Sequence, residues 1–246
     1  MSKSVFTVAL TGPDGAGKST VGREIEKILP VPAKYIYMGV NLESSNLVLP
    51  TTRLLLEIKR AFGRRPDLAG STASTKSKPR PKSLLIRVLG GLKSSVRLIN
   101  QVAEEWFRQA VVWYYLRRGF IVLLDRHFYY DYYFHDIVIE GSSRPMTSRI
   151  HGFLLKNFYP RPDFVIFLDA PAGVLYARKP EGTLDLLEER RQEYLRLQKQ
   201  VGNSAVIDVT KPVDVVIKEI SDLIIDFYRR QGKTSLGIGE VEKKRA

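Results

Sequence analysis

Two short stretches of this sequence hold residues whose types and spacing can do chemistry. The first runs Gly12, Pro13, Asp14, Gly15, Ala16, Gly17, Lys18, Ser19, Thr20. It matches G-x-x-x-x-G-K-[ST], with an apolar run before it and a helical pattern after it. Glycines at 12, 15 and 17 let successive backbone N–H groups turn toward a phosphate chain, and a helix beginning near Lys18 adds its positive dipole end. Lys18 has the reach for the β- and γ-phosphates of a nucleotide, and Ser19 for a Mg²⁺ ion beside them. The whole run from Gly12 to Thr20 is the expected nucleotide cradle. Asp14 is its odd member, a carboxylate among anions. It either turns away to hold a hydroxyl of an acceptor or stabilises the turn.

The second stretch is Asp125, Arg126, His127, closing the apolar run "IVLLD". A switch GTPase needs a base-reading N-K-x-D, which is lacking; "TKPVD" at 210–214 has the wrong order. A motor ATPase usually carries Asp-Glu at this place. A cation following the metal-side carboxylate suits a second, phosphate-bearing substrate. "FVIFLD" also ends in an aspartate, Asp169, so either strand end can supply the carboxylate near the metal; Arg126 favours Asp125. Further on, Arg178 and Lys179 precede a Pro/Gly turn and a charged helix. Such a basic segment either closes on a transferring phosphoryl group or is an ordinary solvated loop. The aromatic run "HFYYDYYFHD" at 127–136 suits stacking on a base or packing in a core. His127, His135 and His151 show no metal-ligand spacing.

These residues need rigid elements behind them. Continuous apolar runs at 5–11, 34–38, 121–125, 164–169 and 205–209 read as buried strands. Helical patterns cover 18–29, 84–118 with an interruption at Gly90 and Gly91, 129–139, 147–158, 184–200 and 213–230. Alternation of this kind predicts an α/β three-layer sandwich, a five-stranded parallel sheet flanked by helices. Residues 1–230 read as a single phosphate-loop kinase domain with a basic insertion at about 41–100, and 231–246 as a flexible tail. The apolar residues before the phosphate loop suit a strand and not a signal peptide. No apolar stretch is long enough to span a membrane. The chain has no cysteine, which is compatible with a reducing compartment. A cytoplasmic location with peripheral membrane contact is the expectation.

With these pieces in place, the sequence resembles thymidylate kinases and their relatives among phosphate-loop nucleoside monophosphate kinases. The matching stretches are "GPDGAGKST", "GFIVLLDRH", "FLDAPAGVLYARK" and "VIDVTKPVDVVIKEI", in the family's order over most of the chain outside 41–100. The resemblance implies ATP as donor, Mg²⁺, Lys18 and Ser19 on the donor phosphates, and Asp14 near an acceptor hydroxyl. It also implies Asp125 as the metal-side or base carboxylate and Arg126 on the acceptor phosphate. Arg178 becomes a lid or adenine-side arginine, and Lys211 another nucleotide contact. The chain departs from the family where it reads "YMGVNLESS" in place of an Arg-Glu-Pro-Gly stretch. In the helix before the third strand it reads "AEEWFRQA", with Arg108 about one turn displaced, and His127 stands where a tyrosine is usual. The donor half is kept and the acceptor half rewritten, with Arg108, Arg126 and His127 as its candidate residues. The family default is transfer to dTMP. Alternatives are a kinase acting on a sugar-phosphate or lipid-linked acceptor in surface-polysaccharide synthesis, and a nucleotide-gated protein that binds a membrane or nucleic acid.

The net charge is +13, and it is concentrated. Between Arg53 and Arg97 twelve Lys/Arg face two acidic residues, so this segment carries +10. Its ends, "LLLEIKRAF" and "LLIRVLGGLKSSVRLI", interleave apolar and basic residues at helical spacing, which suits an anionic membrane interface. Nucleic acid is the weaker match, because it does not need the leucines. Covering an acceptor pocket or a homodimer interface is the structural alternative. Each cation near an anionic leaflet contributes roughly 1 kcal/mol. The chain is therefore predicted to sediment with anionic but not neutral liposomes, and a charge-neutralised segment to lose this. Equal, negligible sedimentation on both lipids leaves the structural alternative.

Overall fold

The structure is a computed structural model and describes residues 5–39, 47–49, 52–53, 84–133 and 145–243, with backbone alone for 84–93 and 232–243. Most of the basic insertion, and the end of the aromatic run, lie outside the described residues.

Five short strands carry the fold: β1 (Thr7–Thr11), β2 (Ala33–Tyr37), β3 (Ile121–Asp125), β4 (Phe164–Asp169) and β5 (Ser204–Asp208). All pair in parallel, in the order β2-β3-β1-β4-β5. The helices are α1 (Lys18–Ile28), α2 (Leu84–Arg117), α3 (Phe128–Tyr132), α4 (Met146–Asn157), α5 (Ala172–Arg178), α6 (Leu184–Gln198) and α7 (Val213–Lys243). The expected three-layer α/β sandwich is present.

Alternation along each strand assigns its side chains to two cores. Val8, Leu10, Ile121, Leu123, Ile166 and Leu168 pack on one face with Val21 and Ile25 of α1 and Val216, Ile220, Ile224 and Phe227 of α7. Ala9, Val122, Leu124, Val165 and Phe167 face the other way, against Val112 of α2, Phe128 and Tyr130 of α3 and Leu155 of α4. With both faces covered, the strands read as unbroken apolar runs. Because every strand is parallel, all five carboxyl ends share one edge. The chain leaves β1 toward β2 and β3 and finishes on its other side with β4 and β5. The loop after β1 therefore stands where the winding reverses, the usual ligand crevice of such sheets.

Three elements differ from the sequence reading. Helix α2 runs through Gly90 and Gly91 without a break; each glycine costs only about 1 kcal/mol relative to alanine, which a long helix tolerates. Helix α7 continues to Lys243, past residue 230 where the helical pattern was read to end. Short α5 follows Pro171 directly, and its few residues show no period of their own.

The first core is closed by aromatics. The Phe227 ring stacks on Phe164 with centroids 5.0 Å apart and meets Phe6 edge-on at 4.9 Å. Phe227→Ala removes both contacts and leaves a cavity, a cost of about 3–5 kcal/mol. Urea unfolding is expected to show this as a lowered midpoint with little change in slope.

Candidate active site

The loop after β1 is built from backbone conformations that only glycine adopts freely. Gly12, Gly15 and Gly17 have φ of 142°, 84° and 81°. A Cβ at Gly12 would lie 2.4 Å from the Leu168 carbonyl oxygen, and one at Gly15 2.4 Å from that of Leu175. The loop is thus clasped between the end of β4 and α5, with Ala16 buried beneath it. Gly17 caps α1 in the left-handed conformation, so Lys18 and Ser19 open the helix. Thr20 is exposed on its first turn.

Lys18 is buried and donates to the carbonyls of Gly12 (2.7 Å) and Pro13 (2.8 Å). Burial, reinforced by the neighbouring Arg126, pushes its ammonium down to about 8. Ser19 Oγ donates to Asp125 Oδ2, and so does Tyr35 Oη of β2 at 2.7 Å. The other oxygen of Asp125 is buried without a hydrogen-bond partner among the described residues. A hydroxyl next to a carboxylate with a free, buried oxygen is a hard donor set that fits Mg²⁺. Asp169 is differently engaged. Arg191 of α6 grips it bidentately, with Nε on Oδ1 at 2.7 Å and a terminal nitrogen on Oδ2 at 2.9 Å. That contrast favours Asp125 as the metal-side carboxylate.

The second feature is a group of cations around Asp14. Arg126 donates to Asp14 Oδ1; Arg190 of α6 reaches Oδ2 at 3.3 Å and Lys179 stands 3.8 Å from Oδ1. Burial works to raise the Asp14 pKa, but Arg126, Lys18 and Lys179 hold it down at about 2. Arg126 has φ 62°, the only positive value on a non-glycine residue among the described residues. The left-handed turn aims its side chain back over the sheet edge. Lys179 also pairs with Glu181 at 2.9 Å, so Arg126 and Arg190 are the cations chiefly held by Asp14, beside the phosphate loop where an anionic ligand can compete for them.

Other sequence candidates are used locally. Arg108 is buried and donates to the carbonyls of Met38 (2.9 Å), Gly39 and Leu47 (3.1 Å), so it holds the chain leaving β2. His127 is buried and accepts from the Tyr129 N–H at the start of α3; burial pushes its imidazole down to about 3, so it is neutral at ordinary pH. Arg178 donates to the Val209 carbonyl at 2.7 Å, and exposed Lys211 pairs with Glu219 at 2.8 Å. Both therefore flank the turn after β5 rather than the cations at Asp14. Tyr35, Asp131, Arg190, Arg191 and Tyr194 were not legible as site residues. Only the spacing of Arg190, Arg191 and Tyr194 on one charged helix offered a signal.

Comparison with known proteins places the chain in a family. The chain is 31% identical over 232 residues to the thymidylate kinase of Thermosipho africanus, covering 88% of this chain and 96% of that protein. The chain belongs to the thymidylate kinase family. A thymidylate kinase of Thermosipho melanesiensis is 31% identical over 143 residues, 51% of this chain and 65% of its own length. No family model matches the chain. The fold is shared with the thymidylate kinase structure from Candida albicans at a TM-score of 0.58 and 18% identity, over 92% of this chain and 93% of that one. Membership makes this chain a kinase of the nucleoside monophosphate group. No helix among the described residues is long and apolar enough to cross a membrane.

The geometry makes Lys18 the sole cation seated within the loop itself. Lys18→Ala is therefore expected to cut phosphoryl transfer on the order of 10²-fold or more. Turnover near that of the unmodified chain would remove the loop from the chemistry.

Proposed function

We propose that the chain transfers the γ-phosphate of ATP to dTMP, with Mg²⁺ held by Ser19 and Asp125. The observation that carries this reading is the group of Arg126, Lys179 and Arg190 around Asp14, directly beside the phosphate loop. A hydrolase needs one phosphate site; this arrangement offers cationic ground for a second phosphate-bearing substrate. The family default supplies dTMP as that substrate.

In this reading Gly12 to Thr20 wrap the donor phosphates, and Arg178 and Lys211 flank the nucleoside side of the donor near Val209. Arg126 orients the acceptor phosphate, and Asp14 takes a hydroxyl of the acceptor sugar. The acceptor phosphate oxygen attacks the γ-phosphorus, a new P–O bond forms, and the bond to the β-phosphate oxygen breaks to release ADP. Charge spreads over the transferred group as this happens, and Lys18, Lys179 and Arg190 are placed to offset it. When bound, Mg²⁺ neutralises the β- and γ-phosphate oxygens. Helix α6 and the turn before it keep water from the transferring group. We read residues 1–230 as one kinase domain interrupted by the basic insertion.

A screen with labelled ATP against deoxynucleoside monophosphates, sugar phosphates and lipid-linked phosphates tests the acceptor, with dTMP expected as the best. Arg126→Ala is predicted to raise the acceptor KM while ATP-analogue affinity stays nearly unchanged. Collapse of ATP binding with acceptor affinity intact would reverse the assignment.

A further inference from the structure

Tyr35 touches the site and has no task in the reaction proposed for it. Its hydroxyl donates to Asp125 Oδ2 at 2.7 Å, the same oxygen to which Ser19 Oγ donates. Two donors on one oxygen leave Oδ1, which is buried without a hydrogen-bond partner among the described residues. The strand register accounts for the reach of Tyr35. It pairs with Leu123 of β3, two residues before Asp125. Side chains two apart share a face of the sheet, and two residues of strand rise about 6.6 Å. A tyrosine lying along the sheet spans that gap; a serine or threonine is too short.

The ring has a place made for it. Gly22 lies inside α1 and is buried there, although glycine weakens a helix relative to alanine. A Cβ at Gly22 would stand 2.7 Å from Tyr35 Cδ2 and 2.8 Å from Cε2, so an alanine there has to move the ring. The absent side chain is the slot in which the ring lies. Arg23, the next residue, sets its guanidinium 5.7 Å from the ring centroid. With its ring on the helix and its hydroxyl on the carboxylate, Tyr35 joins β2 to β3 and to the helix that Lys18 and Ser19 open.

We propose that Tyr35 is a positioning residue for Asp125: by holding Oδ2 together with Ser19 it fixes the carboxylate and keeps Oδ1 for Mg²⁺, and Gly22 is the glycine that admits it. The proposal rests on the reading of Ser19 and Asp125 as the Mg²⁺ pair. A carboxylate that serves a metal is itself held by hydrogen bonds, and losing such a partner costs about tenfold or more in metal affinity.

Equilibrium binding of a fluorescent, non-hydrolysable ATP analogue tests this, measured for each variant in MgCl₂ and again in EDTA. The ratio of the two dissociation constants reads the metal's share of binding and involves no turnover. Tyr35→Phe keeps the ring and removes the hydroxyl. It is expected to shrink that ratio about tenfold, weakening binding in MgCl₂ and leaving binding in EDTA unchanged. Gly22→Ala is expected to shrink the ratio as well, by crowding the ring, and to add little once Tyr35 is already phenylalanine. Asp125→Asn marks the full loss. An unchanged ratio in Tyr35→Phe, where Asp125→Asn loses it, overturns the proposal and leaves the metal reading standing. Equal weakening in MgCl₂ and EDTA, tracking a lowered melting temperature, also overturns it, because a packing role alone gives that result. Additive losses in the Gly22→Ala, Tyr35→Phe double variant overturn the part given to Gly22. If Asp125→Asn keeps the ratio, the metal reading falls and the proposal falls with it.

Discussion

Everything at the site follows from how closely the β1–α1 loop is pressed against neighbouring backbone. Gly12 and Gly15 leave no room for a Cβ against the carbonyls of Leu168 and Leu175. This contact joins the central strand to β4 and α5 at one point. It holds the loop above the sheet edge, at the start of α1. The loop's position then determines which strand ends can touch it: Asp125 of β3 through Ser19, and the segment after β4 through Lys179 and Arg190. A side chain at either glycine would push the loop away from Asp125 and from the cations after β4, so the local geometry of the loop decides whether the site assembles.

Charge provides the second level of organisation. Lys18, Arg126, Lys179 and Arg190 lie close to one carboxylate, Asp14, and their mutual repulsion is offset by that carboxylate, by the Lys179–Glu181 pair and by the carbonyls that Lys18 donates to. Such preorganised positive charge costs folding stability and favours transition-state charge, the usual exchange at phosphoryl-transfer sites. The apolar cores on both faces of the sheet are what make that cost bearable.

Much of this was legible in the residues themselves. The strands Ile121–Asp125 and Phe164–Asp169 matched their apolar runs to the residue, since strands buried on both faces carry no polar positions to blur them. The conformation of the loop after β1 and the placement of Asp125 and Arg126 at the end of β3 were readable because both depend on local spacing. Tyr35, Asp131, Arg190 and Tyr194 were not, because they come from β2, α3 and α6 and meet only through sheet order. The backbone partners of Arg108 and Arg178, the carbonyls of Met38 and Val209, were not readable because they come from distant parts of the chain. Gly90 and Gly91 misled for a different reason: glycine lowers helix propensity without forbidding the helix.

The bidentate grip of Arg191 on Asp169 has a mechanical consequence. It bolts the middle of α6 to the last residue of β4, so the helix has a fixed pivot on the sheet. The turn between Lys179 and Thr183, where Gly182 has φ 79°, is the stretch of chain that this grip leaves between α5 and α6. Lys179 closes α5 at one end of that turn, and Arg190 stands beside the grip on α6 at the other, so the two cations nearest Asp14 on this side are carried by separately anchored helices.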